Sequence, residues 1–418
     1  MLTGRGARLW ILFITWGLVC AVLWLGASLR PVTLPLGPVA EHMPSQLPWG
    51  AVLLAGWALV LTFVSRGGRG FELALVFRLT HALPAVLQSL IFAYWSVYWA
   101  PVRQHLPAIF FQLLFAYAFD GLLSLSLRKR WELSLGPIPV VLSTNLFAQF
   151  APALLDASLV MISLALVSKA LIRVNGKHVF NPSAFGICIV GLFWVAARLP
   201  PAGDVSTQLN LAPNMAELLL LLGVVVQLRV KTVLLTAFAG LGLMLSHVVT
   251  GFSHFAVTWP AVLIVITLLA TDPATTPMSG PGRALGGFAL GFFMPIAGGL
   301  AAALTGGWDF YGKVMLIPLL NLLAPRFDRW AARLPGKAAL DFKYTPLHVM
   351  AWLGLAALSI GSPKPQEREW EWHRLSRTPL IVFNDDGSVS CARNAVFCEP
   401  FSVVEEGRRW LAAPEGRF

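Results

Sequence analysis

Three polar stretches interrupt a chain that is otherwise apolar, and their residue types are those that hold charge or stop a helix. The first is SKALIRVNGKHVFNPSAFGI (168–187). Lys169 closes one apolar run, a basic turn follows, and Asn181-Pro182 opens the next run. Proline suits a first helical turn because its missing N–H has no partner there, and an asparagine before it can cap the same turn. A helix start of this kind offers free N–H groups and a positive dipole end to an anion or an electron-rich ring. The same residues also read as a plain cap and a basic surface turn. The second stretch is LLATDPATTPMSGPGRALGG (268–287). Here an apolar run stops at Asp272-Pro273, and Thr275, Thr276 and a Gly/Pro segment precede the next helix. Hydroxyls and one carboxylate at the end of a half-helix match the discontinuous backbone that binds ions or cofactors in membranes. A Pro/Gly loop on the surface is the alternative. In the third stretch, 115–147, Asp120 lies within an apolar run, and Ser143, Thr144 and Asn145 lie within a short one. An ionisable group at such depth is a functional candidate, paired or not. The Ser-Thr-Asn trio either lines a cavity or ties helices together.

Other chemistries find no support. Cys20, Cys188, Cys391 and Cys398 have no zinc or cluster spacing. The scattered histidines make no metal pattern, and no phosphate-binding glycine loop is present.

The elements that position these residues are membrane helices. The chain has 418 residues, of which 57% are hydrophobic and only 12% charged, and its mean hydropathy is +0.71. A soluble domain carries about 25% charged residues. Apolar blocks near 9–28, 48–65, 82–100, 106–127, 137–151, 156–172, 181–198, 215–228, 231–250, 257–271, 284–304, 311–325 and 345–361 read as about 12–13 spanning or half-spanning helices. Strand-like alternation is absent from this reading. Two blocks, 137–151 and 257–271, would reach only about 22 Å as straight helices and are candidates for half-helices. Trp95, Trp99, Trp194, Trp259 and Trp308 fall near span ends, as interfacial tryptophans do.

Charge gives an independent check. With loops numbered alternately from the inside, the outside set holds only Arg30, Arg103, Arg198 and Lys313, and every other loop cation up to Lys343 falls inside. The net charge of +11 therefore speaks for topology and lipid headgroups, not nucleic acid. The expected location is the plasma (inner) membrane, with a cytoplasmic N-terminus and the tail outside. Block 9–28 reads as a retained first span. Residues 362–418 form a small soluble tail, with a strand, a turn and a second strand over 379–391. Outside, Cys391 and Cys398 could pair; inside they would be free thiols.

Three segments, SKALIRVNGKHVFNPSAFGI (168–187), ATDPATTPMSGPGR (270–283) and VMLIPLLNLLAPRFD (314–328), resemble a membrane family of electron-transport proteins. It is the family shared by the B-type component of the Na+-translocating NADH:quinone reductase and the D-type component of the Rnf electron-transport complex. The resemblance covers roughly residues 70–330. LRKRWELSLGPIPVVLSTNLF (127–147) is also similar to a branch found beside enediyne-type biosynthetic genes. The family implies an all-α polytopic protein with a ten-helix core of two inverted five-helix repeats, the two short blocks being equivalent half-helices. Residues 1–69 would then be additional helices, and 331–361 a basic loop and last span. The family further implies FMN or riboflavin, with FMN esterified to a threonine of a Ser-Gly-Ala-Thr motif between the repeats. That loop reads RLPPAGDVSTQLNLAPNM (198–215) here. It lacks the motif and leaves Thr207 as the candidate acceptor.

The resulting expectation is a membrane component of an electron-transport complex, coupled to ion translocation and assembled with other membrane subunits. Asn181, Pro182, Asp272, Thr275, Thr276 and Thr207 would be cofactor-binding residues. Asp120, Asn145 and Lys169 would lie on an intramembrane polar path. A transporter or channel of the same fold without a redox role is the alternative, as is an accessory membrane protein of a biosynthetic pathway.

Overall fold

The structure is a computed structural model that describes residues 33–34, 37–38, 47–65, 72–77, 79–148, 152–197, 214–230, 232–250, 259–305, 310–334, 353–354, 381–383 and 389–391. The expected span 9–28, all of the expected span 345–361 except residues 353–354, Thr207 and Cys398 lie outside these residues. The chain divides into two compact units, 1–362 and 363–418. In the second, β7 (Ile381–Phe383) and β8 (Val389–Cys391) pair antiparallel, with Val382 opposite Ser390.

The first unit is helical. Its helices are α1 (Leu47–Ser65), α2 (Leu79–Tyr98), α3 (Ala100–Arg128), α4 (Pro137–Ala148), α5 (Pro152–Leu171), α6 (Pro182–Ala196), α7 (Met215–Val230), α8 (Val233–Thr250), α9 (Trp259–Ile264), α10 (Gly280–Thr305) and α11 (Phe310–Ala331). Among the described residues three stretches are long and apolar enough to cross a bilayer: Val102–Arg128, Val233–Thr250 and Gly280–Leu300. The chain is therefore an integral membrane protein, predominantly α-helical. Shorter apolar stretches run over Val52–Phe63, Ala82–Tyr98, Pro137–Leu146, Ala157–Leu171, Pro182–Trp194 and Met215–Gln227.

Local sequence explains where the helices stop. α3 starts after Trp99, in extended conformation, with Pro101 in its first turn. It ends at Lys129, which adopts the left-handed conformation (φ 55°) and donates its N–H to the Leu125 carbonyl at 3.0 Å. Arg128 in the last turn complements the helix dipole. At 29 residues this helix is about 43 Å long, more than the hydrocarbon thickness of about 30 Å. The short block expected at 137–151 is α4, of 12 residues. The other, at 257–271, is α9 continued by a π-helical turn, Val265–Leu269.

Small residues let the helices touch. A Cβ on Gly291 of α10 would overlap the Ala239 carbonyl of α8, and one on Gly186 of α6 would overlap the Met161 carbonyl of α5. Such close backbone approach is how helices associate without a hydrophobic driving force between them.

Short strands in three pairs complete this unit. β1 (Thr33–Leu34) and β2 (Gly37–Pro38) pair antiparallel. β3 (Glu72–Val76) runs parallel to β4 (Arg130–Ser134), a departure from the strand-free membrane unit expected from sequence. Both strands lead into helices, α2 and α4. The basic turn after α5 is a hairpin of β5 (Arg173–Val174) and β6 (Lys177–His178). Its tip, Asn175-Gly176, has positive φ at both residues (51° and 78°), the geometry of a type I′ turn.

The tryptophans depart from the interfacial expectation in one place. Trp95 is 0% exposed, stacked on Trp99 with ring centroids 5.2 Å apart. It fills space between helices and does not face lipid.

Gly291→Val is expected to cost about 1–3 kcal/mol of stability by forcing α8 and α10 apart. Thermal unfolding of the detergent-solubilised chain, followed by static light scattering, checks this, with Gly56→Val as control, because no atom lies within 4 Å of a Cβ there.

Candidate functional site

The π-helical turn after α9 ends near a cluster of side chains drawn from four elements. A π turn leaves its last carbonyls without the usual helical donors. The Leu269 carbonyl receives the Asn181 side-chain N–H at 3.0 Å. Asn181 also caps α6: its Oδ1 accepts the Ala184 N–H at 3.2 Å. Its own backbone N–H donates to Asn321 Oδ1 on α11 at 2.9 Å, and Asn321 Nδ2 donates to the Thr275 carbonyl at 3.2 Å. Two asparagines 140 residues apart thus join the start of α6, the end of the π turn, the following loop and the middle of α11. Pro182 occupies the first position of α6, where a missing N–H costs nothing. Pro325 lies one turn beyond Asn321 inside α11, so the Asn321 carbonyl has no helical N–H partner.

The loop itself is held by carboxylates. Asp272 Oδ2 lies 2.8 Å from His178 Nε2 of the hairpin, and its Oδ1 accepts the Ala274 N–H at 3.0 Å. Burial pushes the Asp272 carboxyl upward. The His178 hydrogen bond and charge, the Ala274 N–H and the Lys169 charge outweigh burial and hold it below the usual carboxylate range. Asp328, near the end of α11, accepts the N–H groups of Met278 and Ser279, each at 2.9 Å, and the Ser279 hydroxyl at 2.6 Å. It therefore closes the start of α10, where Ser279 Oγ in turn accepts the Gly282 N–H at 3.1 Å.

Of the residues singled out in sequence, Asn181, Pro182, Asp272, Thr275 and Thr276 come together here. Lys169 is electrostatically linked to both Asp272 and Asp120. Asn145 belongs to another network. Its side chain lies 3.0 Å from His105 Nε2 and donates to Gln112 Oε1, while Gln112 Nε2 donates to Ser158 Oγ at 3.0 Å. A second strut runs from Gln88 Nε2 to Ser143 Oγ at 2.8 Å. Through Ser143 and Asn145 these bonds tie α2, α3 and α5 to the short helix α4, while the Thr144 hydroxyl donates to the Val140 carbonyl of its own helix at 2.8 Å.

His178, Asn321 and Asp328 escape the sequence reading, though all three sit inside the quoted motifs. Asn175-Gly176 is the signal for His178, since it predicts a hairpin that folds His178 back toward the bundle. Asn321 and Asp328 give only the general signal of polar groups following long apolar runs.

Beside the loop is a small cavity lined by Leu235, Thr275, Thr276, Leu290, Asn321 and Phe327, among others, with about 20 Å³ of room for water centres. That is about one water's worth. The Thr276 hydroxyl is buried there and has no partner among the described residues. A flavin ring does not fit: apart from the Thr276 hydroxyl the polar groups are spent on one another, and a cofactor pocket spans about 300–1,000 Å³. Among the described residues no group of three or more His, Cys, Asp or Glu side chains is placed to hold a metal.

No protein-family model, curated protein or solved structure matches the chain.

Asn321→Ala is expected to lower stability by about 1–2 kcal/mol, because the Asn181 N–H is left without an acceptor. The unfolding midpoint of the purified chain measures it. The lowered Asp272 carboxyl contributes stability that is present above the unfolded-state value, about 3.9. That contribution is lost as pH falls through the folded value. Asp272→Asn removes it, so the drop in midpoint of the native chain below about pH 4 should shrink in the variant.

Proposed function

We propose that this chain is a membrane component of an electron-transport complex of the type it resembles, built on ten helices, α2 to α11, arranged as two inverted repeats of five. The observation that carries the reading is the third element of each five. It is α4 in one half and α9 with its π turn in the other, and both are short. The packing order supports it. In each half the first element packs on the third, the second on the third and fourth, and the fourth on the fifth. Across the halves, first packs on first (α2 on α7) and fifth on fifth (α6 on α11), as a twofold axis in the membrane plane would require. An odd number of crossings per repeat inverts the second relative to the first.

In this reading the described cations Arg128, Lys129, Arg130, Arg173, Lys177 and Arg283 stand on the cytoplasmic side of the plasma membrane, the tail stands outside, and other membrane subunits cover part of the helix surface. The flavin, FMN or riboflavin, belongs to the loop 198–215 with Thr207 as its attachment point, not to the junction of Asn181 and Asn321. The junction holds the second short helix in place and keeps the basic end closed.

One observation favours a second reading, a solute or ion transporter without a redox role. The polar side chains Gln88, Ser143, Asn145, His105, Gln112 and Ser158 run through the buried interior of the first half, and the flavin-attachment motif is missing from 198–215.

Absorbance and in-gel fluorescence of the purified full chain separate the two. The electron-transport reading expects flavin absorbance near stoichiometric amounts and its loss in Thr207→Val. Flavin-free protein that moves solute in proteoliposomes without an electron donor would replace it with the transporter reading.

A further inference from the structure

The β3–β4 pair has no counterpart in the functional reading above. Its register sets Leu73 opposite Trp131 and Leu75 opposite Leu133. Because side chains alternate along a strand, these four and Phe77 share one face. Glu72, Arg130, Ala74 and Glu132 share the other. Here Glu132 lies 2.6 Å from Arg128 and 3.7 Å from Arg130.

The apolar face changes character along its length. At one end Trp131 is 1% exposed and packs with Leu125, Leu73 and Leu61 of α1. The indole fills space that only Gly121 leaves open, since a Cβ at that position would overlap it. At the other end Leu75 and Phe77 are each 76% exposed, Leu133 is 41% exposed, and Leu127 at the end of α3 is 47% exposed. Exposed apolar side chains thus stand both on the ribbon and at the end of α3. Three consecutive cations, Arg128, Lys129 and Arg130, border them where α3 ends.

We infer that this ribbon is a membrane-interface anchor: Leu75, Phe77 and Leu133 insert at the boundary of acyl chains and headgroups, with Arg128, Lys129 and Arg130 at the level of the lipid phosphates. Large apolar side chains exposed beside basic residues are the composition of an interfacial element. Basic residues on this side also meet the anionic lipids of the cytoplasmic leaflet. The occupant is lipid rather than protein because Trp131 of the same face packs against Gly121 and Leu125 of α3, a helix long and apolar enough to cross a bilayer, which sets the ribbon beside that helix at its basic end. A protein strand joining the ribbon would use its edges, not this face.

The test uses the full chain with its native cysteines replaced and single cysteines introduced as Leu75→Cys, Phe77→Cys and Glu72→Cys. All three side chains are exposed, so folding is undisturbed. Each is labelled with an environment-sensitive fluorophore and reconstituted at low protein-to-lipid ratio in phosphatidylcholine–phosphatidylglycerol vesicles. Probes at 75 and 77 are expected to be quenched several-fold more by lipid carrying a spin label near its headgroup than the probe at 72, and less by aqueous iodide. Equal iodide quenching at all three sites overturns the inference. So does protection of 75 and 77 from both quenchers, which would mean that a second copy of the chain covers the face.

Discussion

A helix that ends within a bilayer leaves carbonyl groups without donors, and hydrocarbon supplies none. In this chain the constraint bears on the Leu269 carbonyl, at the end of the π-helical turn. The Asn181 side chain meets it. Asn181 in turn needs an acceptor for its backbone N–H, which Asn321 provides. Asn321 then has an N–H left to give, and the Thr275 carbonyl takes it. Each bond creates the demand for the next, so the broken helix fixes the positions of α6, α11 and the loop between α9 and α10. Bonds of this kind average about 0.6 kcal/mol in membranes. Their worth lies less in that energy than in the cost of leaving any one of them open.

The same economy explains the basic end of the bundle. Asp272 and Asp328 do not lie in the span interiors; each closes a piece of irregular backbone. Asp328 accepts three donors from the start of α10, and Asp272 holds the β5–β6 hairpin through His178. His178 and Lys169 act on the Asp272 carboxylate, and Arg283 is electrostatically linked to Asp328. Two cations of the set that reads in sequence as a topology signal also hold turns: Arg173 donates to the Gly176 carbonyl, and Arg283 Nε donates to the Pro277 carbonyl at 3.0 Å.

Much of this is legible in sequence because periodicity and length are local. The apolar runs locate α3, α8 and α10, and the shortness of 137–151 and 257–271 survives as α4 and the π-terminated α9. Asn181-Pro182 announces a capped helix start, and the Ala184 N–H confirms the cap. What sequence does not give are pairings between distant residues. Asn321 sits in an apolar run like any helix-joining amide, and its partner is 140 residues away. The alternation in Glu72–Val76 is too short to announce a strand alone, and its partner β4 follows a whole helical hairpin later. Trp95 reads as interfacial by its place near a span end, but side-chain direction, not depth, decides whether an indole meets lipid or neighbour.

The polar interior also bears on which function such a fold could serve. Every polar side chain at the Asn181–Asn321 junction except the Thr276 hydroxyl is engaged, and a path through it would have to break several bonds at once. The glutamines of α2 and α7 are different. Gln88 of α2 spends its N–H on Ser143, and Gln227 of α7 spends its N–H on Thr236, yet the Oε1 of both remains without a partner among the described residues. Thr236 donates onward to the Ile266 carbonyl at 2.9 Å, within the π turn. Buried glutamines with an unpaired amide oxygen among the described residues thus stand beside both short helices, α4 and the π-terminated α9. A buried amide oxygen without a partner is costly, so these two positions are held less firmly by hydrogen bonds than the tied junction.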